Sequence, residues 1–267
     1  MKISILISSY NKGKYIRECI ESCIAQNIVN FEIILLDNHS TDETNLILNE
    51  YSSQKYSSQI KIFKKKKISN YPALNQIDLL QKGLEHSSGE IICLLDADDY
   101  YLKNKLSEVR KFFIENKSKN VLFDLPMIQR SEKFQKFINK KKIQKKIWPT
   151  IIPTSSISMR KNFFKDCVNI GLFSNYNSLE VDFRINVYSR LIKKNDFTIS
   201  DKSLNIYRKV EGSIMSSHRK FSKFWWNKRL EAHRFMREWY AKNNQSYLTA
   251  DYLFTKILVN FFNLQKL

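Results

Sequence analysis

Three aspartates crowd the run Cys93-Leu94-Leu95-Asp96-Ala97-Asp98-Asp99, directly after a wholly apolar stretch. Carboxylates packed this closely repel one another unless a cation neutralises them. A hard divalent ion that keeps some of its waters and takes up substrate phosphates meets that need, which points to Mg2+ or Mn2+ rather than zinc. The plain alternative is a solvated turn with a helix cap. Two more polar clusters follow apolar runs earlier in the chain: Ser9, Tyr10 and Asn11, then Asp37, Asn38, His39 and Ser40. Part of the second has a structural use, because Ser40 or Thr41 can cap a helix beginning near Asp42.

Such side chains act together only if the chain brings them to one place, and the pattern around them predicts how. Ile3 to Ser8 reads as a buried strand, and Tyr15 to Gln26 as a helix through Ile16, Ile20 and Ile24. Phe31 to Asp37, Ile60 to Phe63 and Ile91 to Leu95 read as further strands, with helices at Asp42 to Tyr51 and Pro72 to His86 between them. Alternation of this kind makes parallel β-α-β units, and ligands bind outside the carboxyl ends of such strands. All three polar clusters fall there. Beyond them the sequence predicts a helix at Lys103 to Asn116, strands at Val121 to Leu125 and Ser155 to Met159, and a helix at Leu179 to Lys193. From Phe221 onward the chain reads as mostly helical. The lysine-dense stretch Gln129 to Lys146 predicts a mobile surface loop, serving either as a solvated face or as a lid over the site. No repeat or Gly/Ser-rich linker divides the chain, so one continuous α/β unit is expected.

Lys and Arg number 45 against 26 Asp and Glu, a net charge of +19 that favours polyanions: nucleic acid, anionic membrane or phosphorylated small molecules. A general lysine bias of the composition explains it equally well. The 43% of hydrophobic residues suffices for a packed interior. Cys19, Cys23, Cys93 and Cys167 lie in apolar surroundings without C-x-x-C spacing, which predicts buried reduced thiols and a reducing compartment. Met1 leads straight into a strand-like segment, and no apolar run approaches the roughly 20 residues of a bilayer crossing, so a cytoplasmic protein is expected.

The runs Ile5-Leu6-Ile7-Ser8-Ser9-Tyr10-Asn11, Ile33-Ile34-Leu35-Leu36-Asp37-Asn38-His39-Ser40-Thr41-Asp42 and Gly89 to Asp99 together resemble the family 2 glycosyltransferases of the GT-A fold. Order and spacing match over about the first hundred residues. The resemblance implies a GT-A type domain with a mainly parallel central sheet flanked by helices, over residues 1–215: a nucleotide-binding half, 1–126, and an acceptor-side half, 127–215. A mostly helical extension, 216–267, follows. It implies inverting transfer of a sugar from a nucleoside-diphosphate donor, UDP-linked rather than otherwise, to a hydroxyl of a saccharide or lipid-linked saccharide. Surface polysaccharide assembly is the setting the family suggests.

Carried over by position, Asp37 binds the nucleobase, and Ser9, Tyr10 and Asn11 lie beside the nucleotide. Asn38 stands where the family has a second aspartate. Asp96 and Asp98 match the D-x-D motif, with Asp98 on the metal and Asp96 near the ribose, and Asp99 faces the sugar. The family's general base sits in an E-D pair before a helix. Its counterpart is Leu179-Glu180-Val181-Asp182-Phe183, which makes Asp182 the base, but Val181 replaces the expected glutamate and Glu180 stays a rival. An ordinary helix start with favoured acids is the bland alternative. The segment Ser203 to Arg208 followed by Glu211-Gly212-Ser213 resembles a Y-R-x-x-x-G-S pattern, so that Arg208 reaches a phosphate. His218 either completes the metal shell or is a solvated loop histidine.

Phe224-Trp225-Trp226 admits three readings: sugar-stacking aromatics, a membrane-interface anchor or core. Tyr252 to Leu264 suits a packing helix or shallow contact with an anionic membrane. A nucleotidyltransferase is the first alternative, disfavoured by the single glycine in Ser8 to Lys14. A nucleic-acid-binding protein is the second, although no recognised module is present. A family member that binds without catalysis is the third, motivated by Asn38 and Val181.

Overall fold

The structure, a computed structural model, describes residues 1–52, 58–137, 150–210 and 219–264. The first ninety-six residues alternate as the sequence predicts: β1 (Ile3–Ser9), α1 (Gly13–Ile24), β2 (Phe31–Asp37), α2 (Thr44–Tyr51), β3 (Ile60–Lys64), α3 (Pro72–His86) and β4 (Ile91–Asp96). Then come β5 (Tyr100–Tyr101), α4 (Lys105–Glu115), β6 (Val121–Phe123), β7 (Met127–Arg130) and β8 (Lys133–Lys136). A 3-10 turn at Thr154–Ser156 leads into β9 (Ile157–Arg160) and α5 (Lys161–Asn169). The rest is α6 (Val181–Val187), continued by a π-helical turn over Tyr188–Ile192, β10 (Phe197–Ile199), β11 (Asn205–Arg208), α7 (Lys223–Ala241) and α8 (Ala250–Leu264).

A seven-stranded sheet runs in the order β10-β6-β9-β4-β1-β2-β3. It is parallel throughout except at β9, which is antiparallel to both β4 and β6. A smaller sheet, β5-β11-β7-β8, stands beside it. Strand side chains alternate between two faces. Ile5, Ile33, Leu35, Cys93 and Leu95 therefore pack with α1, α2 and α4 on one side. Leu6, Ile34, Leu36, Ile92 and Leu94 pack with α3, α5 and α6 on the other. Burial on both faces explains why these strands read as unbroken apolar runs. Gly89 opens β4 because a Cβ there would lie 2.5 Å from the Ser4 backbone nitrogen.

Helix α7 is built into the second core: Ala232, Phe235, Met236 and Trp239, at helical spacing, belong to the cluster that holds α3, α5 and α6. Trp225 and Trp226 meet edge to face at 4.7 Å. Both are half-buried, and Trp226 packs against a small satellite cluster of Leu230, Tyr252 and Val259. All four cysteines are free and buried.

Four expectations need correction. Residues 127–136 form the hairpin β7–β8 rather than a loop; β8 is exposed at every position, so no hydrophobic alternation announces it. The remainder of the lysine-dense stretch, 138–146, lies outside the described residues. The strand expected from Ser155 begins at Ile157, after the 3-10 turn. The helix expected over Leu179 to Lys193 starts at Val181 and passes into the π-helical turn. Ser40 and Thr41 cap nothing: α2 starts at Thr44, whose N–H bonds to Asp42 Oδ1 at 3.0 Å.

Candidate active site

Parallel register gathers the three polar clusters. Ser9 pairs with Asp37 across β1 and β2, and Ser8 with Asp96 across β1 and β4, so all end at one edge of the sheet. Asp37 is buried, and Ser40 holds both its oxygens: the Ser40 hydroxyl donates to Oδ1 at 2.5 Å and its N–H to Oδ2 at 2.8 Å. The Asn11 N–H donates to the Ser40 hydroxyl at 2.8 Å, and Thr41 N–H donates back to Asn11 Oδ1 at 2.8 Å. Asn11 adopts φ 51°, a left-handed turn that asparagine tolerates well. The Ser9 hydroxyl is buried without a hydrogen-bond partner among the described residues. Tyr10 is 40% exposed, with the Lys67 ammonium 3.3 Å from its ring centre. Asn38 donates its amide to the Lys65 carbonyl at 2.8 Å, a bond the family's aspartate has no proton to make.

The Asp96–Asp99 turn leaves β4 with a different environment for each carboxylate. Asp96 Oδ1 accepts from Gln76 Nε2 at 2.7 Å. Burial, and then the neighbouring Asp98, push its carboxyl up to about 7. Asp98 is paired with Lys12, Nζ to Oδ2 at 2.5 Å. Asp99 is buried, and its oxygens accept from the Ser155 hydroxyl at 2.5 Å and the Arg208 N–H at 2.8 Å. Burial, Asp98 and Asp96 together raise its carboxyl well above the ordinary range. Asp99 thereby ties β11 and the 3-10 turn to the end of β4. Arg208 stacks on Tyr100 at 4.5 Å, donates to the Asp98 carbonyl at 3.1 Å and pairs with Glu18.

Glu180 and Asp182 approach from α6. Glu180 is ion-paired with Lys228 of α7. Asp182 Oδ1 accepts the Phe183 N–H at 2.7 Å. Burial, then Glu180, then Asp96 push the Asp182 carboxyl up to about 8, so Asp182 and Asp96 lie close enough to feel each other's charge. Val181 faces the core, buried with its neighbours, which accounts for an apolar residue at that position. His218 and the Glu211-Gly212-Ser213 part of the motif lie outside the described residues.

The residues that aim Asp182 carry no motif. Arg184 is fully buried and donates to five carbonyls, those of Leu172, Ser174, Asn175, Tyr176 and Leu179, which shapes the loop before α6. From α7, Glu231 accepts from Ser178 and Glu238 from Tyr176, holding that loop from outside. Asn186 bonds to both the N–H and the carbonyl of Ile152, fixing α6 to the segment before β9. Tyr207 is another group motif reading passed over. Its phenol is raised by burial and then by Asp99, Asp182, Asp96 and Asp98, so it borders both ends of the site.

Among the described residues no three His, Cys, Asp or Glu side chains converge on one metal position. An ion held at Asp96 and Asp98 would have its remaining positions filled by phosphate oxygens and water rather than by further protein carboxylates. The ammonium of Lys12 against Asp98 already marks that carboxylate as a place for positive charge.

The sequence profile described as "Glycosyl transferase family 2" matches residues 4–168. The chain belongs to that family. A glycosyltransferase of Haemophilus influenzae, itself described as uncharacterized, is 26% identical over 228 residues, covering 78% of this chain and 88% of the relative. One from Rickettsia bellii is 32% identical over 161 residues, 59% of this chain but only 22% of its own length. The poly(ribitol-phosphate) beta-N-acetylglucosaminyltransferase TarS of Staphylococcus aureus is 28% identical over 127 residues, again 21% of its length. The chain thus spans less than a quarter of those two larger relatives. Among solved structures, TarS residues 1–349 with UDP-GlcNAc superimposes with a TM-score of 0.61 at 22% identity, covering 90% of this chain and 71% of that one. The mannosyltransferase PcManGT of Pyrobaculum calidifontis, with GDP-Man and Mn2+, gives 0.60 at 13% identity, covering 97% and 69%. The fold is the GT-A type that the sequence resemblance implies.

Proposed function

We propose that this transferase moves a sugar from a nucleoside-diphosphate donor, UDP-linked, to a hydroxyl of a saccharide or lipid-linked saccharide, with inversion at the transferred carbon. The observation that carries the reading is the gathering of Ser9, Asp37 and Asp96 at one sheet edge by parallel register, with Asp182 close enough to Asp96 for their charges to interact. Asp37 holds the nucleobase, with Ser9, Tyr10 and Asn11 beside the nucleotide; the unpartnered Ser9 hydroxyl supports a ligand there. Asp96 lies near the ribose and Asp98 on the cation. When bound there, Mn2+ or Mg2+ supplies positive charge to the diphosphate leaving group. Arg208 adds a guanidinium on the phosphate side, and Asp99, bonded to Ser155 and the Arg208 N–H, stands on the sugar side in this reading.

Asp182 is the general base. A carboxyl raised to about 8 is matched to taking a proton near neutral pH, as the acceptor hydroxyl attacks. Glu180 is the poorer candidate because Lys228 already neutralises it. Residues 1–215 form the catalytic unit in this reading and 216–267 its helical extension. Surface polysaccharide assembly is the setting in this reading; the likeness to TarS, described as a poly(ribitol-phosphate) beta-N-acetylglucosaminyltransferase, supports a polymeric acceptor.

The free thiols support a reducing, cytoplasmic compartment. No helix among the described residues is long and apolar enough to cross a membrane. Leu253, Phe254, Ile257 and Phe261 of α8 are exposed, which supports a peripheral contact with an anionic membrane face. The test is turnover of a panel of UDP- and GDP-sugars in Mn2+ with saccharide acceptors, and the anomeric configuration of the product. Transfer with inversion supports the reading, and transfer with retention would overturn the in-line mechanism.

A further inference from the structure

Asp98, the carboxylate assigned to the cation, has a cation of the protein's own. Lys12 precedes α1, and its backbone is pinned on both sides: its N–H donates to Thr44 Oγ1 at 2.9 Å, and its carbonyl accepts from the N–H groups of Tyr15 and Ile16 at 2.8 Å. That anchoring leaves the side chain free to reach across the sheet edge, where Nζ lies 2.5 Å from Asp98 Oδ2. No other residue among those described bonds or pairs with that carboxylate. Both side chains keep some solvent contact, 23% for Lys12 and 15% for Asp98, so the pair sits at the mouth of the site and not in the core. Asp96 and Asp99 lie beside it with no cation of their own: Asp96 is bonded to a neutral amide, and Asp99 to a hydroxyl and a backbone N–H. The Arg208 guanidinium at the same turn is taken up by Glu18 and the Asp98 carbonyl, so among the described ion pairs Lys12 alone meets one of the three carboxylates.

We propose that Lys12 is the resident counter-ion of Asp98, and that a divalent cation entering the donor site must displace it. The inference rests on the donor-site reading above. A displaced ammonium next to a cation-bound carboxylate needs a new anion, and the diphosphate of the donor is the anion that reading brings to the same place. Lys12 therefore couples the two ligands. It lowers affinity for the bare cation and raises affinity for nucleotide, so that cation and diphosphate bind together more tightly than either binds alone.

The test measures free Mn2+ by electron paramagnetic resonance, with and without saturating UDP, in the wild type, Lys12→Met and Lys12→Gln, each checked for folding by thermal melting. Without UDP, either Lys12 variant should bind Mn2+ about tenfold more tightly than the wild type, because the competitor is gone. With Mn2+ saturating, UDP affinity should fall by about tenfold. The enhancement of Mn2+ affinity by UDP should shrink accordingly. Unchanged or weaker nucleotide-free Mn2+ binding in folded variants would overturn the competition. A wild type that binds no Mn2+ even with UDP would overturn the donor-site reading itself, and this inference with it.

Discussion

Replacing Asp182 with asparagine takes away a proton acceptor while leaving its surroundings in place. The Oδ1 that accepts from the Phe183 N–H at 2.7 Å is retained. The Asn186 bond at 2.8 Å goes to the Asp182 backbone carbonyl and is untouched. Helix α6 therefore keeps its start and its attachment. General-base assistance is worth about 10²–10⁴-fold, so kcat should drop by about that factor while UDP affinity in Mn2+ stays within about twofold.

Stability should move the other way. The Asp182 carboxyl titrates at about 8 when folded against an ordinary 3.8, so the folded chain binds the extra proton between those values. Stability from this group is present below the lower value and lost as pH rises toward 8. At pH 8 the variant should gain on the order of 1–3 kcal/mol, allowing for the solvent contact Asp182 keeps, and almost nothing near pH 4. The wild-type rate should rise with pH toward a plateau above about 8, because only the unprotonated carboxyl accepts a proton. A cation on Asp96 and Asp98 moves that limb to lower pH. The assay is continuous UDP release across pH 5 to 9, with urea melts at each end. A folded variant that kept more than about a tenth of the wild-type kcat with its pH limb intact would refute Asp182 as the base and bring Glu180→Gln forward as the next substitution.

Asp98→Asn should weaken Mn2+-dependent UDP binding by at least about tenfold and leave the melting temperature close to wild type; calorimetry with unchanged affinity would remove Asp98 from the cation site. Arg184→Met withdraws the guanidinium from five carbonyls, of which those of Leu172 and Leu179 belong to buried residues. It should cost about 3–5 kcal/mol in urea unfolding, and a loss under about 1 kcal/mol would show that the loop before α6 has other supports. In the absence of cation, Asp96 is held up to about 7 and is protonated below that pH. Mn2+ with UDP should consequently raise the melting temperature more at pH 8 than at pH 6, and equal shifts at both would contradict a carboxylate-bound cation.

The sheet's centre was legible in the sequence because β1, β2 and β4 are buried on both faces, which forces apolar runs with abrupt polar ends. Those ends are Ser9, Asp37 and Asp96, and parallel register alone then brings them together. Strand β9 was legible as a strand but not as the antiparallel insert between β4 and β6, since strand direction leaves no mark on four residues. The three residues of β10 and two of β5 are too few for any periodicity to show. Within the site, motif positions named the carboxylates but not what holds them. Ser155 bonds Asp99 from 56 positions away and Lys12 reaches Asp98 from 86, distances over which spacing says nothing. Ser40 looked like a helix cap because a serine before a helix commonly is one; its bond to Asp37 is a property of the folded turn. Arg184 looked like an ordinary charge on a helix, and only burial shows that five carbonyls require it.

Calorimetric titration of the purified chain with UDP, and then GDP, each with and without Mn2+ at physiological salt, tests the central claim most directly. The donor-site account predicts binding of one of the two that depends on Mn2+ and disappears in Asp98→Asn. Binding of neither nucleotide, or binding indifferent to both Mn2+ and Asp98, would contradict it.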